Sequence, residues 1–542
     1  MSASCQWRII DKCSETSKDT IYQQSKSDCI ASFLEIYQQE VNAGYLNCQL
    51  DTMTIDSCIS FCLSKGQRYS VRTITLIHPD NRLERLHFNQ RKNLPFHSGS
   101  IVNKSKSALH FYREHGYPFV ALQLDSIQWQ DSLTNIYWRI DKGPSINMDS
   151  LFIRSEQRMP YSYLRKALGY EKGKPYKESF IQVADQQIRR IRFLDIAQSS
   201  EVKFNSSGAQ LIIYPFRKPA NSFQGIMGIR PDEITGKINL TGDVELRLFN
   251  SLNTGEELYL NWRKMQTQTQ DLEARAQFSY LMGTSFGPDG SVKIYRRDST
   301  FTSVQLIGGL SWKPNFNSAV RAFAERLISS TIKPNFQFTE NANVDALYFG
   351  LEHIFNLLDN IDNPRKGIFT RGKIARGRRK RTLENINETA TISQSFDAIK
   401  GEIDCKFFVP TFKHQCVMIG INANTLQTDS ILKNEMTRIG GLRTFRGIDE
   451  ESILATSYSI LSLEYRYLLD TQTAVYIFSD LGWWEEKGKF DLVQDTPYSF
   501  GAGINLRTPS GIFTFNYALG KQFDNPILLK NAKISLGFRS VF

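Results

Sequence analysis

The 542-residue chain has no apolar run near the ~18 residues that a membrane-crossing helix needs. A helical membrane protein is therefore excluded. Eight cysteines and seven histidines are present, but there is no CxxC pair and no histidine at a zinc-ligand spacing, so no metal site is expected. Cys5, Cys13, Cys29, Cys48, Cys58 and Cys62 crowd the first segment. An oxidising compartment would permit disulfides there, and the spacing does not choose among pairings. The histidines (His78, His110, His115, His353 and His414 among them) stand at no family spacing from a serine or cysteine nucleophile. A glycine-rich phosphate loop is missing too: Ile439-Gly440-Gly441 does not lie between a strand and a helix. Neither an enzyme nor a cofactor binder is expected. The opening residues Met1–Trp7 lack the apolar stretch of an export signal, so an exported protein would here be a processed form or begin at a misassigned start.

What is abundant is aromatic residue and alternation. Phe (36) and Tyr (22) are frequent although the mean hydropathy is −0.35, the combination expected where half of each strand is polar. From Ser222 onward the period is two. Leu258, Leu260 and Trp262 alternate with Tyr259, Asn261 and Arg263; Leu272, Ala274, Ala276 and Phe278 alternate with Asp271, Glu273, Arg275 and Gln277. At the C-terminus Ile534, Leu536, Phe538 and Phe542 oppose Lys533, Ser535, Gly537 and Arg539. One apolar face at this period means a sheet facing an apolar medium. About sixteen such segments follow one another, an even number as a single-chain membrane barrel prefers. Short links (Pro410-Thr411, Thr508–Gly511) alternate with longer ones at 329–343, 377–397, 425–453 and 484–497. A two-residue turn at Pro410-Thr411 would set Cys405 opposite Cys416. The net charge of +11 and the stretch Arg376–Arg381 admit a nucleic-acid reading, but nothing else resembles such a module, and a solvated basic segment is the plainer account.

Residues 1–218 read differently. A helix carrying Ile30, Phe33, Leu34, Tyr37 and Val41 on one face ends at Gly44-Tyr45, and two short strands lead to Lys65-Gly66. A second unit repeats the order, with its helix ending at Gly116-Tyr117 and its strands leading to Lys142-Gly143. A third has two helices and closes near Phe216. The expected domains are 1–66, partial or divergent and without a convincing initial strand, then 67–145, 146–218, and the barrel at 219–542.

Between the eleventh and twelfth strands lies Arg438-Ile-Gly-Gly-Leu-Arg-Thr-Phe445-Arg446-Gly447. It is followed by Ser462-Leu463-Glu464 and by Asp480-Leu481-Gly482. This order resembles the end of BamA/TamA-type outer-membrane assembly barrels, where an Arg-Gly loop folds into the barrel ahead of strands with Ser-Leu-Glu and Asp-x-Gly segments. The 70-residue repeats resemble the POTRA domains of that family. The fold implied is a set of α+β periplasmic POTRA repeats followed by a 16-stranded antiparallel transmembrane β-barrel.

Strand parity turns Glu464 and Asp480 toward the lumen, where two carboxylates on adjacent strands suit a guanidinium fork. The resemblance implies that Arg446 fills that seat, with Phe445 and Gly447 beside it, and pins the 425–453 loop. It also implies a factor that inserts or translocates outer-membrane proteins, with unfolded clients, membrane lipids and periplasmic accessory subunits as partners and no nucleic acid. Gly225, Gly228 and Gly537 would weaken the two strands of the closing seam, with Phe538 and terminal Phe542 beside it. Ser540 departs from the apolar or aromatic residue usual in such a terminal signal. Arg378, Arg379 and Lys380 are expected to meet lipid phosphates. A pore exporting one dedicated partner protein, as in two-partner secretion, is the alternative, and a passive channel a third.

Overall fold

The computed structural model describes every residue except 1–6, 12–19, 24–25, 56–57, 78–93, 97, 232–237, 267–268, 298–299, 332–341, 385–390, 489–491 and 509–510; Cys5 and Cys13 lie outside the described residues. The chain forms two compact units, one of residues 1–150, 171–183 and 201–211, the other of 151–170, 184–200 and 212–542. The division runs through the third repeat.

In the first unit, helix Lys26–Asn42 accompanies a four-stranded sheet ordered Thr20–Gln23, Trp7–Asp11, Cys58–Ser64, Gln49–Ile55. This first repeat does possess an initial strand: Trp7–Asp11 pairs in parallel with Cys58–Ser64. The sequence hides it because five residues are too few to show a period. Helix Ser98–Arg113 belongs with a second sheet, ordered Leu94–Pro95, Ser70–Leu76, Leu133–Asp141, Ala121–Gln130. Both helices end as the Gly-Tyr pairs lead one to expect. Gly44 and Gly116 take positive φ, and the amides of Tyr45 and Tyr117 reach back to the carbonyls of Glu40 and Tyr112, the closure that glycine permits past a helix end. The third sheet is ordered Leu194–Asn205, Gly208–Arg217, Met148–Ile153, with helices Tyr161–Ala167 and Glu178–Arg190.

The second unit is dominated by a closed antiparallel barrel. Its first strands are β1 (Ser222–Pro231), β2 (Ile238–Phe249), β3 (Glu257–Gln266), β4 (Thr269–Gln277), β5 (Phe286–Arg297) and β6 (Phe301–Asn315). There follow β7 (Ser318–Thr331), β8 (Asn343–Leu358), β9 (Gly367–Glu384), β10 (Thr391–Pro410) and β11 (Gln415–Gln427). After the long loop come β12 (Ser457–Leu468), β13 (Ala474–Lys487), β14 (Leu492–Asp495 continuing as Tyr498–Thr508), β15 (Gly511–Lys521) and β16 (Lys533–Val541). Both halves of β14 pair with β13, so the strands number sixteen. The outward face is apolar and bare: Phe349, Ile374, Ile477 and Leu536 each expose more than 60% of their surface, which a watery surroundings would penalise and a bilayer would not. Among the described residues no helix is long and apolar enough to cross a membrane. Turns at one barrel end meet the third repeat: Arg190 donates to Asn317 Oδ1 at 2.7 Å and to the Asn356 carbonyl at 2.8 Å, and Tyr163 packs edge-on to Tyr280.

Two expectations fail on register. Pro410 pairs with Cys416 and Cys405 with Ile421, so the β10–β11 ladder closes over residues 411–415 and the turn is longer than two residues. The odd shift sets Val417, Ile419 and Ile421 opposite Val409, Phe407 and Cys405, all on one face, whereas a two-residue turn would have split these apolar sets. Cys405 and Cys416 are free and not partners. Strands also run beyond the expected ends: β9 and β10 pair without a break from Gly367↔Phe408 to Glu384↔Thr391, taking in most of the 377–397 segment read as a loop.

Candidate functional site: the lumenal loop and the barrel seam

The segment between β11 and β12 folds into the barrel. Its base is a two-stranded ribbon, Thr437–Ile439 against Ile453–Ala455, and Gly440 and Gly441 turn it through positive φ. Thr444 Oγ1 both accepts from the Gly440 amide and donates to its carbonyl, which fixes the tip that carries Phe445-Arg446-Gly447.

Arg446 lies between the two lumenal carboxylates. Its Nε and Nη2 donate to Asp480 Oδ2 and Oδ1 at 2.8 and 2.6 Å, and its Nη1 donates to Glu464 Oε1 at 2.5 Å. The Arg446 amide also donates to Asp480 Oδ2, and the guanidinium stacks 3.7 Å from the Phe478 ring centre. Asp480 is buried, and the Arg446 and Glu464 side chains are 12% exposed. A planar fork filled on two edges and a face is a rigid joint. Phe445 is fully buried with Ile439, Ile448, Ile453, Tyr458, Ile460 and Trp484. The third residue of the Asp480-Leu481-Gly482 segment explains itself here: a side chain on Gly482 would begin 2.3 Å from the Phe445 ring. Gly447, at φ +81°, passes so close to Ser499, Leu519 and Gly520 that an added Cβ would meet them at 2.9–3.0 Å; glycine alone fits both conditions.

A second anchor holds the other half of the loop. Arg379 of β9, expected to meet lipid phosphate, instead points inward and is fully buried. Its Nη1 and Nη2 donate to the carbonyls of Asp429 and Ser430 at 2.7 and 2.8 Å, and its Nε forms an ion pair with Glu435 at 2.5 Å. The reason is pleat parity: Arg376, Arg378 and Lys380 take the outward face, so Arg379 and Arg381 take the lumenal one. Beside this anchor Asn434 donates to Ser329 Oγ and the Ala342 carbonyl. Composition had marked the stretch as basic; only the alternation within it separates the two roles.

The loop also reaches both sides of the barrel seam. Asp449 pairs with Lys533 of β16 at 2.5 Å. Glu450 and Glu451 both pair with Arg263 of β3, and Arg443 stands 3.6 and 3.7 Å from Asp243 and Glu245 of β2. The seam itself is short. β1 and β16 pair only at Ser222↔Val541 and Phe223↔Ser540, aided by the Phe542 amide on the Asn221 carbonyl, whereas β1 and β2 pair over ten residues from Ser222↔Arg247 to Pro231↔Ile238. Gly225 and Gly228 pair only with Val244 and Thr241 of β2, and Gly537 with Thr514 of β15; all three lie in the stretch with no partner across the seam. Phe538 packs on Phe513, ring centres 4.6 Å apart. A seam of two residue pairs was not legible from the glycines alone.

The Omp85 superfamily domain matches residues 251–538, more than half of the chain. Among solved structures the chain is similar to CdiB from Escherichia coli (13% identity, TM-score 0.51, covering 96% of this chain and 99% of that one). It is similar also to CdiB from Acinetobacter baumannii (13%, 0.50, 95% and 98%) and to BamA from Haemophilus ducreyi lacking POTRA domains 1-3 (14%, 0.48, 88% and 100%). At identities this low the two CdiB structures speak for the fold alone. No functionally curated protein matches. A sixteen-stranded barrel with its Arg446 loop inside, and a domain match over most of that barrel, place the chain in the Omp85 superfamily.

Proposed function

We propose that this protein inserts client proteins into a bacterial outer membrane, with its N-terminal repeats in the periplasm. The observation that carries the reading is the contrast between a seam of two residue pairs and its neighbours, β1–β2 with ten and β15–β16 with seven. Along most of its length β16 has free backbone donors and acceptors, and such an edge templates an added strand. Its outward residues Ile534 and Leu536 are exposed, so a client strand pairing there would enter the apolar medium directly. The repeats offer further edges: Ala121–Gln130 ends its sheet and exposes Leu124 and Trp129, a surface for extended clients or accessory subunits.

Photocrosslinkers at Ile534 and Leu536, with Phe349 on the opposite wall as control, test this. Adducts with nascent outer-membrane proteins are expected at the first two positions only. Adducts confined to lumenal positions such as Glu325 would instead support export through the barrel.

A further inference from the structure

On the outward wall of the barrel, away from the seam, Ala276, Gly290, Gly308 and Ala324 stand in one cross-strand row over β4 to β7. Neighbouring strands lie ~4.8 Å apart, so these four make a floor about 14 Å long without side chains beyond a methyl group. Leu248 and Leu258 line one end and Leu347 the other, and the open trough has a volume of about 660 Å³. The backbone does not demand these glycines: neither has a positive φ. An added Cβ would meet nothing within 4 Å at Gly308 and only one carbonyl at 3.9 Å at Gly290. Glycine weakens a strand interior, so the fold alone gives no reason for the gap.

Arg326 lines the same trough, and its cross-strand row continues through Leu347 to Arg378. Phe349 leads to Arg376, and Asp345 to Lys380. These four cations face outward where the apolar side chains of β7 to β9 end. Two carboxylates stand among them: Asp345 takes Arg326 at 3.0 Å, and Asp397 lies 3.4 Å from Arg376 and 3.9 Å from Arg378. Two positive charges remain over.

We propose that this trough is a binding site for one phosphate-bearing membrane lipid. An acyl chain lies along Ala276, Gly290, Gly308 and Ala324, and the phosphate is held by Arg326, Arg378 and Lys380. The trough opens onto the membrane face, where lipid is the neighbour at hand, and the excess cations lie at one edge of it. Charge-assisted hydrogen bonds from two guanidinium groups and an ammonium suit a phosphate, and the groove gives the chain a place that a smooth wall would not.

The test is the full-length protein purified in a neutral detergent, with bound organic phosphorus measured per mole of protein. The variants are Gly308→Leu, which fills the groove, and Arg326→Gln/Arg378→Gln/Lys380→Gln; heat-shifted gel mobility reports barrel folding. Both variants are expected to lower retained lipid at least threefold while remaining folded. If Gly308→Leu fails to fold, Gly290→Leu replaces it. Lipid loss in the charge variant alone would mean a diffuse charged margin and overturn the site, as would loss in neither. Displacement of the bound phosphorus by inorganic phosphate alone would also overturn it, since the acyl chain would then contribute nothing.

Discussion

The lumenal loop has two anchors that differ in how they are built. At Arg446 a loop guanidinium is held by carboxylates of the wall, Glu464 and Asp480. At Arg379 the polarity is reversed: the wall supplies the guanidinium, and the loop supplies Glu435 and two backbone carbonyls. The first joint is two carboxylates about one cation, and the second one carboxylate about one buried cation. Both hold charge out of water, where losing one partner is far worse than never having the pair. The loop is therefore fixed at two independent places, near β12–β13 and near β9, and its two halves should come free separately.

Removing Arg446 is expected to have the largest effect. Arg446→Ala leaves two carboxylates facing each other in a mostly buried seat, a loss of about 3–5 kcal/mol for a broken buried pair. In purified protein, trypsin should then cut after Arg443, with cleavage after Lys433 unchanged. Arg379→Ala should do the reverse, opening Lys433 and sparing Arg443, at about 2–4 kcal/mol because backbone carbonyls re-solvate more readily than carboxylates. Equal release of both sites by either variant would show a single joint. The double variant should lose the sum of the two within ~0.5 kcal/mol if the anchors are independent.

Gly482→Leu comes next. It drives Phe445 from its pocket without touching a charge, and should give a loop that is loosened at Arg443 but still paired at Arg446. Loss of the Phe445 contacts is worth about 3 kcal/mol on the scale of buried aromatic truncation, less whatever the loop recovers by shifting. The smallest effect is expected from Asp449→Asn. Asp449 is 71% exposed, so its pair with Lys533 adds little to stability. It should show only as faster oxidation of a cysteine pair placed across the unpaired part of the seam. An unchanged rate would mean that the loop does not hold β16.

The barrel, its strand number and the Arg446 seat are readable because regular alternation within β12 and β13 assigns a face to Glu464 and Asp480 without reference to any other strand. The repeats are readable because glycine past a helix end has a backbone reason. The second anchor was obscured because six residues from Arg376 to Arg381 all read as basic or small, so hydropathy carries no parity there. Strand overshoot was hidden for the same cause: beyond the apolar band both faces of β9 and β10 are polar while the ladder runs on. At Pro410 the short link suggests a two-residue turn, but the parity of Val417, Ile419 and Ile421 favours the longer connection, and parity prevails. The two-pair seam is a long-range feature, joining residues 222–223 to 540–541, and no local pattern encodes it.

If clients are inserted through the β1–β16 seam, locking that seam should stop insertion. Phe223 and Ser540 are direct partners, and opposed residues lie within disulfide reach. A Phe223→Cys/Ser540→Cys protein, as the sole copy in cells, is expected to stop outer-membrane protein assembly when oxidised and to resume it on reduction, with each single variant active throughout. Assembly that continues at the normal rate with the seam fully disulfide-locked would show that the seam need not open.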